Sequence, residues 1–227
     1  MLKKTTITTL MGKYQGRFSV QMGIDLSSGK PDEIFKWFFA SVLFGARISE
    51  TIVNHTYHEM KTNHILSPKV ILNTGWDGLV AVLDKGGYVR YDFKTATKLL
   101  DLSKNLMDLY GGDLNVLHAA ATDPDDLEKK LKSLAKGIGD VTVNIFLREM
   151  RGIWEKAKPL PLEPVVGAAQ DIGIIKKQAR DRRKILELLM KAWKDAGMRK
   201  GDFPDFEAAL VRLGREIKKK RLQRKPE

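Results

Sequence analysis

The feature that most constrains this chain is Gly137-Ile138-Gly139, set between two stretches of helically spaced apolar residues. Leu127, Leu131 and Leu134 precede it, and Val143, Ile145, Phe146 and Leu147 follow. That pattern predicts two amphipathic helices joined by a turn too short for anything but a hairpin. Glycine lets such a turn adopt conformations closed to other residues, and the missing Cβ lets an anion approach the backbone. The helix starting near Asp140 contributes unpaired amides and the positive end of its dipole. The segment Leu134-Ala135-Lys136-Gly137-Ile138-Gly139-Asp140-Val141-Thr142 therefore reads as a phosphate clamp. Its expected donors are the amides around Gly137, Gly139 and Val141, with Lys136 adding charge and Asp140 capping the second helix.

The rest of the chain is also helical in pattern, which makes the fold class all-α. Phe35, Phe38, Phe39, Val42 and Leu43 form one buried stripe from Asp32 onward. Ser49 caps a following helix carrying Ile52, Val53, Thr56, Tyr57 and Met60. Ser67-Pro68 opens a short helix, and Trp76 to Leu83 gives another that ends at Gly86-Gly87. A longer one runs from about Asp92 to Tyr110, with Phe93, Ala96, Leu99, Leu100, Leu106 and Met107 as its apolar positions, and Asp123-Pro124 starts the helix entering the hairpin. Gly152 to Pro164 is a proline-rich loop, Val165 to Ala169 opens a further helix, and two more span roughly Lys177 to Ala196 and Phe203 to Lys220. These elements group into an arm (1–30), a helical domain (31–169) with the hairpin at about 124–150, and C-terminal helices with a basic tail (170–227) that pack on the N-terminal segment. The arm is rich in β-branched residues and Gly, with weak periodicity.

A formal net charge of +12 on 227 residues gives the chain a field that attracts polyanions and weakens with salt. Nucleic acid is the leading partner; a basic surface serving only solubility is the alternative. The absence of cysteine excludes disulfides, Cys-ligated zinc and iron–sulfur clusters and is compatible with a reducing compartment; with no apolar run near the length of a membrane span, the expected address is intracellular, cytoplasmic, and the chain is expected to be a monomer.

From Pro31 to Ala169 the sequence resembles the helix-hairpin-helix DNA glycosylase superfamily of the endonuclease III type. Besides the hairpin, Val42-Leu43-Phe44-Gly45-Ala46-Arg47-Ile48-Ser49-Glu50-Thr51-Ile52-Val53-Asn54 is similar to that family's second-helix segment, where the residue matching Arg47 probes the duplex. Gly86-Gly87-Tyr88-Val89-Arg90-Tyr91 followed by Lys94 resembles the Gly-aromatic stretch before its Lys-Ala helix. The resemblance implies two helical lobes with double-stranded DNA across a cleft. It also implies DNA contacts at Arg47, Lys94, Lys136, Gly137, Ile138, Gly139, Val141 and Thr142, and a monovalent cation on the carbonyls of Ser133, Ala135 and Ile138, with no other cofactor.

Two departures from the family bear on mechanism. Val141 stands where bifunctional members carry a lysine nucleophile, and valine cannot form an imine. Where members place an aspartate, this chain has Lys158-Pro159-Leu160-Pro161-Leu162-Glu163-Pro164, making Glu163 the substitute carboxylate and Lys158 the one amine beside it. The expectation is a monofunctional base-excision glycosylase lacking lyase activity; the alternative is a catalytically inactive DNA-binding or damage-recognition module. His55-x-x-His58 lacks a third ligand at a familiar spacing and reads as a solvated helix face. Trp154 and Trp193 read as core.

Overall fold

The computed structural model describes residues 2–223, so the end of the basic tail, Arg224 to Glu227, lies outside the described residues. In chain order the helices are α1 (Leu2–Lys13), α2 (Phe18–Gln21), α3 (Pro31–Phe44), α4 (Glu50–Thr62), α5 (Pro68–Lys85), α6 (Asp92–Tyr110), α7 (Leu114–Ala120), α8 (Pro124–Ser133), α9 (Asp140–Glu149), α10 (Glu163–Asp171), α11 (Arg182–Asp195) and α12 (Phe203–Gln223). No strand forms among the described residues, and no described helix is long and apolar enough to cross a membrane. The chain divides into two compact units, Met22–Lys158 and Met1–Gln21 with Pro159–Glu227. The divisions thus fall at 21/22 and 158/159 rather than 30/31 and 169/170, because α10 packs on α12 and goes with the C-terminal helices.

In the central unit, α3 is buried almost all round. Phe35, Phe38, Phe39, Val42 and Leu43 are inside as the stripe predicts, but so are Ile34, Trp37, Ala40, Ser41 and Phe44. Burial on every side means neighbours on every side: η-turn residues 26–28, α4, α7 and α9 all pack on this helix. Trp37 donates its indole N–H to the Phe146 carbonyl at 3.1 Å, satisfying a group that burial would otherwise leave costly. Phe38 meets Phe146 edge-on at 4.9 Å, so α9, the second hairpin helix, rests directly on the core. Side-chain caps form where the sequence predicts them: Ser49 accepts from the Ile52 amide, Ser67 from Val70 and Asp123 from Asp126. At Gly75 (φ 68°, ψ 177°) helix α5 breaks, which divides Ser67-Pro68 from the Trp76–Leu83 stretch. Phe93 is a correction: an apolar position on α6, it is 58% exposed.

In the other unit, the N-terminal segment is helical rather than an irregular arm. The Thr- and Ile-rich sequence of α1 is a weak helix former, yet its Ile7 and Leu10 are buried and the helix packs on α12 and α11, so tertiary burial overrides propensity. Tyr14 and Lys13 both bind Glu216 of α12, and Arg17 pairs with Asp205 at 3.0 Å. Trp193 stacks on Phe206 at 5.2 Å, a core role.

Candidate nucleic-acid interface

The hairpin occupies residues 134–139 between α8 and α9. Leu127, Leu131 and Leu134 anchor the first helix in the core, and Val143, Ile145, Phe146 and Leu147 anchor the second. The turn itself faces out. Gly137 takes φ +90°, a region that side-chain-bearing residues rarely adopt, and Ile138 tucks its side chain inward to 4% exposure. The Ile138 amide donates to the Ala135 carbonyl at 3.2 Å, closing the turn. Helix α6 braces it from behind: Asn105 donates to the Leu134 carbonyl at 2.9 Å. Lys98, seven residues earlier on α6, lies over Gly137, where an added Cβ would sit 3.1 Å from its Cε and 3.4 Å from its Nζ.

The start of α9 decides what the turn can bind. Gly139 is its N-cap, with extended backbone (φ −112°, ψ −174°) and no side chain to cap anything. The first bond of the helix runs from the Val143 amide to the Gly139 carbonyl at 3.1 Å. The amides of Gly137, Gly139, Asp140, Val141 and Thr142 reach no acceptor among the described residues. Asp140 does not cap them as the sequence suggests. Its carboxylate is 80% exposed and pairs with Lys132 at 2.5 Å, which raises the Lys132 pKa. This pairing offsets the negative charge that would otherwise repel an anion at the helix start.

Lys136, Arg47 and Lys94 are exposed cations, and no carboxylate among the described residues pairs with them. Val141 is half exposed at the helix start, whereas Thr142 is 4% exposed and its hydroxyl packs on Gly45, so only its amide remains for a ligand. That contact ties the Gly45-Ala46-Arg47 corner to α9 and explains why residue 45 must be glycine: a Cβ there would collide with Thr142 Oγ1. Carbonyls of Ser133 and Ile138 accept no hydrogen bond among the described residues, and the Ala135 carbonyl accepts the one from the Ile138 amide.

Glu163 and Lys158 fall in different units. Glu163 is the first residue of α10, its side chain 77% exposed and bound to Arg182 at 2.7 Å. Lys158 is exposed; the desolvated amine is instead Lys98, whose pKa burial lowers. Sequence reasoning passed over Lys98, although its spacing four residues after Lys94 on one helix was a usable signal. His55 contacts the Gly86 carbonyl at 3.1 Å through Nδ1. Trp154 is buried, donates to Asn115 at 2.9 Å and stacks on His118 at 4.7 Å.

Comparison with known families finds no family model that matches the chain, and comparison with characterised proteins finds no significant match. A functional reading therefore stands on the residues and their geometry.

Proposed function

We propose that this chain binds double-stranded DNA by holding a backbone phosphate on the hairpin between α8 and α9, in the manner of the helix-hairpin-helix glycosylases it resembles. The observation that carries the reading is the row of main-chain amides, at Gly137, Gly139, Asp140, Val141 and Thr142, left without acceptors at an exposed helix start. An amide row of this kind suits an anion, and the net charge of +12 suits one repeated along a polymer. Lys136, Lys94 and Arg47 would add contacts that weaken with salt. A monovalent cation on the Ser133, Ala135 and Ile138 carbonyls would sit beside the phosphate and offset its charge. Such contacts fix the duplex without reading its sequence.

The chemistry proposed is monofunctional release of an altered base, with Glu163 as the carboxylate that activates water or stabilises the cationic sugar, in a two-lobed glycosylase-like fold. A second reading, a non-catalytic damage-recognition module, is favoured by the ion pair between Glu163 and Arg182. A panel of duplexes, each with one altered base, is scored for base release with and without alkali. Release that disappears in Glu163→Gln supports the enzyme, and tight binding without release supports the module. Failure to bind any duplex at low salt overturns both.

A further inference from the structure

The positive charge of the chain is not spread evenly along it. In the central unit, Met22–Lys158, 18 lysines and arginines are matched by 18 aspartates and glutamates, so the unit that holds the hairpin is electrically balanced. The terminal unit, Met1–Gln21 with Pro159–Glu227, has 22 basic residues against 10 acidic ones and carries the whole excess of +12. A surface charged only for solubility intersperses the two signs. Segregation onto one unit instead creates a local field that attracts a polyanion.

Within that unit the charge is densest from Lys176 to Lys184, where six of nine residues are basic and only Asp181 is acidic. The segment is held in place. It follows α10 and folds back on it: the Gln170 side-chain amide donates to the Lys177 and Ala179 carbonyls at 3.2 and 3.1 Å, and Arg180 donates to the same two at 2.6 and 3.0 Å. Asp181 is the N-cap of α11 and accepts from the Arg183 and Lys184 amides at 2.9 and 3.2 Å, so its carboxylate is engaged. The first turn of α11 then holds Arg182, Arg183 and Lys184 and no acid, which sets cations at the end of the dipole that repels them. Glu163 offsets Arg182, but Lys176, Lys177, Arg183 and Lys184 are exposed, and no carboxylate among the described residues pairs with them. A local rule is most often broken where function demands it, and what the break supplies here is unneutralised positive charge on a fixed backbone.

We propose that Lys176, Lys177, Arg183 and Lys184 form a second DNA-backbone contact, carried by the terminal unit and independent of the hairpin. The hairpin offers a phosphate neutral amides, whereas this surface offers full charges, so the two contribute differently: the first to affinity at any salt, the second to the salt dependence. The proposal rests on the DNA-binding reading above, and its test separates the two.

Affinity of the full chain for a duplex is followed by fluorescence anisotropy across a salt series. In one variant the four residues become glutamine; in a control, Lys30, Lys61, Lys69 and Lys129 do, four exposed lysines of the central unit. Both variants lose the same net charge, so a general field effect would weaken binding equally in the two. Expected in the first variant only is a slope of log affinity against log salt that flattens by about 0.9 for each phosphate released, about 3.6 for four. The loop pair alone, Lys176→Gln with Lys177→Gln, lies outside any helix and should flatten it by about 1.8. Circular dichroism checks that each variant keeps its helices. An equal change in variant and control, or none in the variant, overturns the contact, and the clamp survives that result if Gly139→Ser still weakens binding. A flattened slope together with wild-type affinity in Gly139→Ser keeps this contact and overturns the clamp. Binding to phosphatidylserine vesicles but not to duplex, lost in the first variant, would assign the surface to a membrane and overturn the DNA proposal.

Discussion

Gly139→Ser should make the protein more stable and a weaker DNA binder at once, because it asks the same amides to serve two acceptors. The backbone at Gly139 is extended, as helix N-caps usually are, and a Cβ there would meet nothing within 4 Å, so serine enters without strain. Its hydroxyl would accept from the Val141 or Thr142 amide. Serine caps better than glycine by a few tenths of a kcal/mol, and removing a glycine from the unfolded chain adds roughly 0.4–1 kcal/mol, for a total of about 1 kcal/mol of stabilisation. The amide so capped is lost to the phosphate. A hydrogen bond to a charged group contributes about 1.5–3 kcal/mol, so DNA affinity should fall roughly tenfold to 150-fold. The variant alters no charge, so the slope of log affinity against log salt should stay the same. Urea unfolding and fluorescence anisotropy across a salt series supply both readouts. A variant that is stabilised yet binds with wild-type affinity would refute the amide clamp; one that is not stabilised would refute the assignment of Gly139 as an uncapped N-cap.

Gly45→Ala should cost about 1–3 kcal/mol by overpacking against Thr142 Oγ1, and Thr142→Ala should recover part of that loss; additive effects in urea melts would mean the two residues are not in contact. Hydrogen bonds from Lys220, Tyr14 and Lys13 push the Glu216 carboxyl down to about 2 from its ordinary 4.5, so its stabilisation is complete above pH 4.5 and lost as pH falls toward 2. The stability gap between wild type and Glu216→Gln, followed by thermal unfolding against pH, should therefore close over that window, and a pH-independent gap would contradict the assignment. Borohydride treatment on a duplex with an abasic site should yield no covalent adduct, because Val141 offers no amine. An adduct that disappears in Lys98→Ala but persists in Lys158→Ala would overturn this and identify the desolvated amine as the nucleophile.

Local rules made much of the fold legible. Caps at Ser49, Ser67 and Asp123, glycines at helix ends and the spacing of leucines around the hairpin each depend on residues close in sequence, and each formed as read. The failures share a cause as well: they depend on what a segment meets in three dimensions. The β-branched sequence of α1 becomes helical because α11 and α12 cover Ile7 and Leu10, and nothing within residues 1–30 announces that cover. Asp140 carries the residue type of a cap but finds Lys132 first. Phe93 sits at an apolar position of α6 and still faces water, because periodicity reports which residues share a face and not whether the face is covered.

The hairpin shows why a main-chain site is both easy and hard to read. Its donors are backbone amides, so the only sequence trace is permissive: glycines at 137 and 139 that allow the turn and leave the helix start bare. The geometry adds what no motif could supply, namely that Asp140 is diverted to Lys132, that Thr142 turns its hydroxyl toward Gly45, and that Asn105 and Lys98 brace the turn from α6. The first two turn away the carboxylate and hydroxyl oxygens that could have accepted from the amides. Rigidity follows from the same contacts, since the turn is fixed to α6 and the following helix to α3 through Phe146. An anion site whose donors are already fixed would lose little conformational entropy on binding, so under the proposed reading a small turn would suffice to position a backbone phosphate.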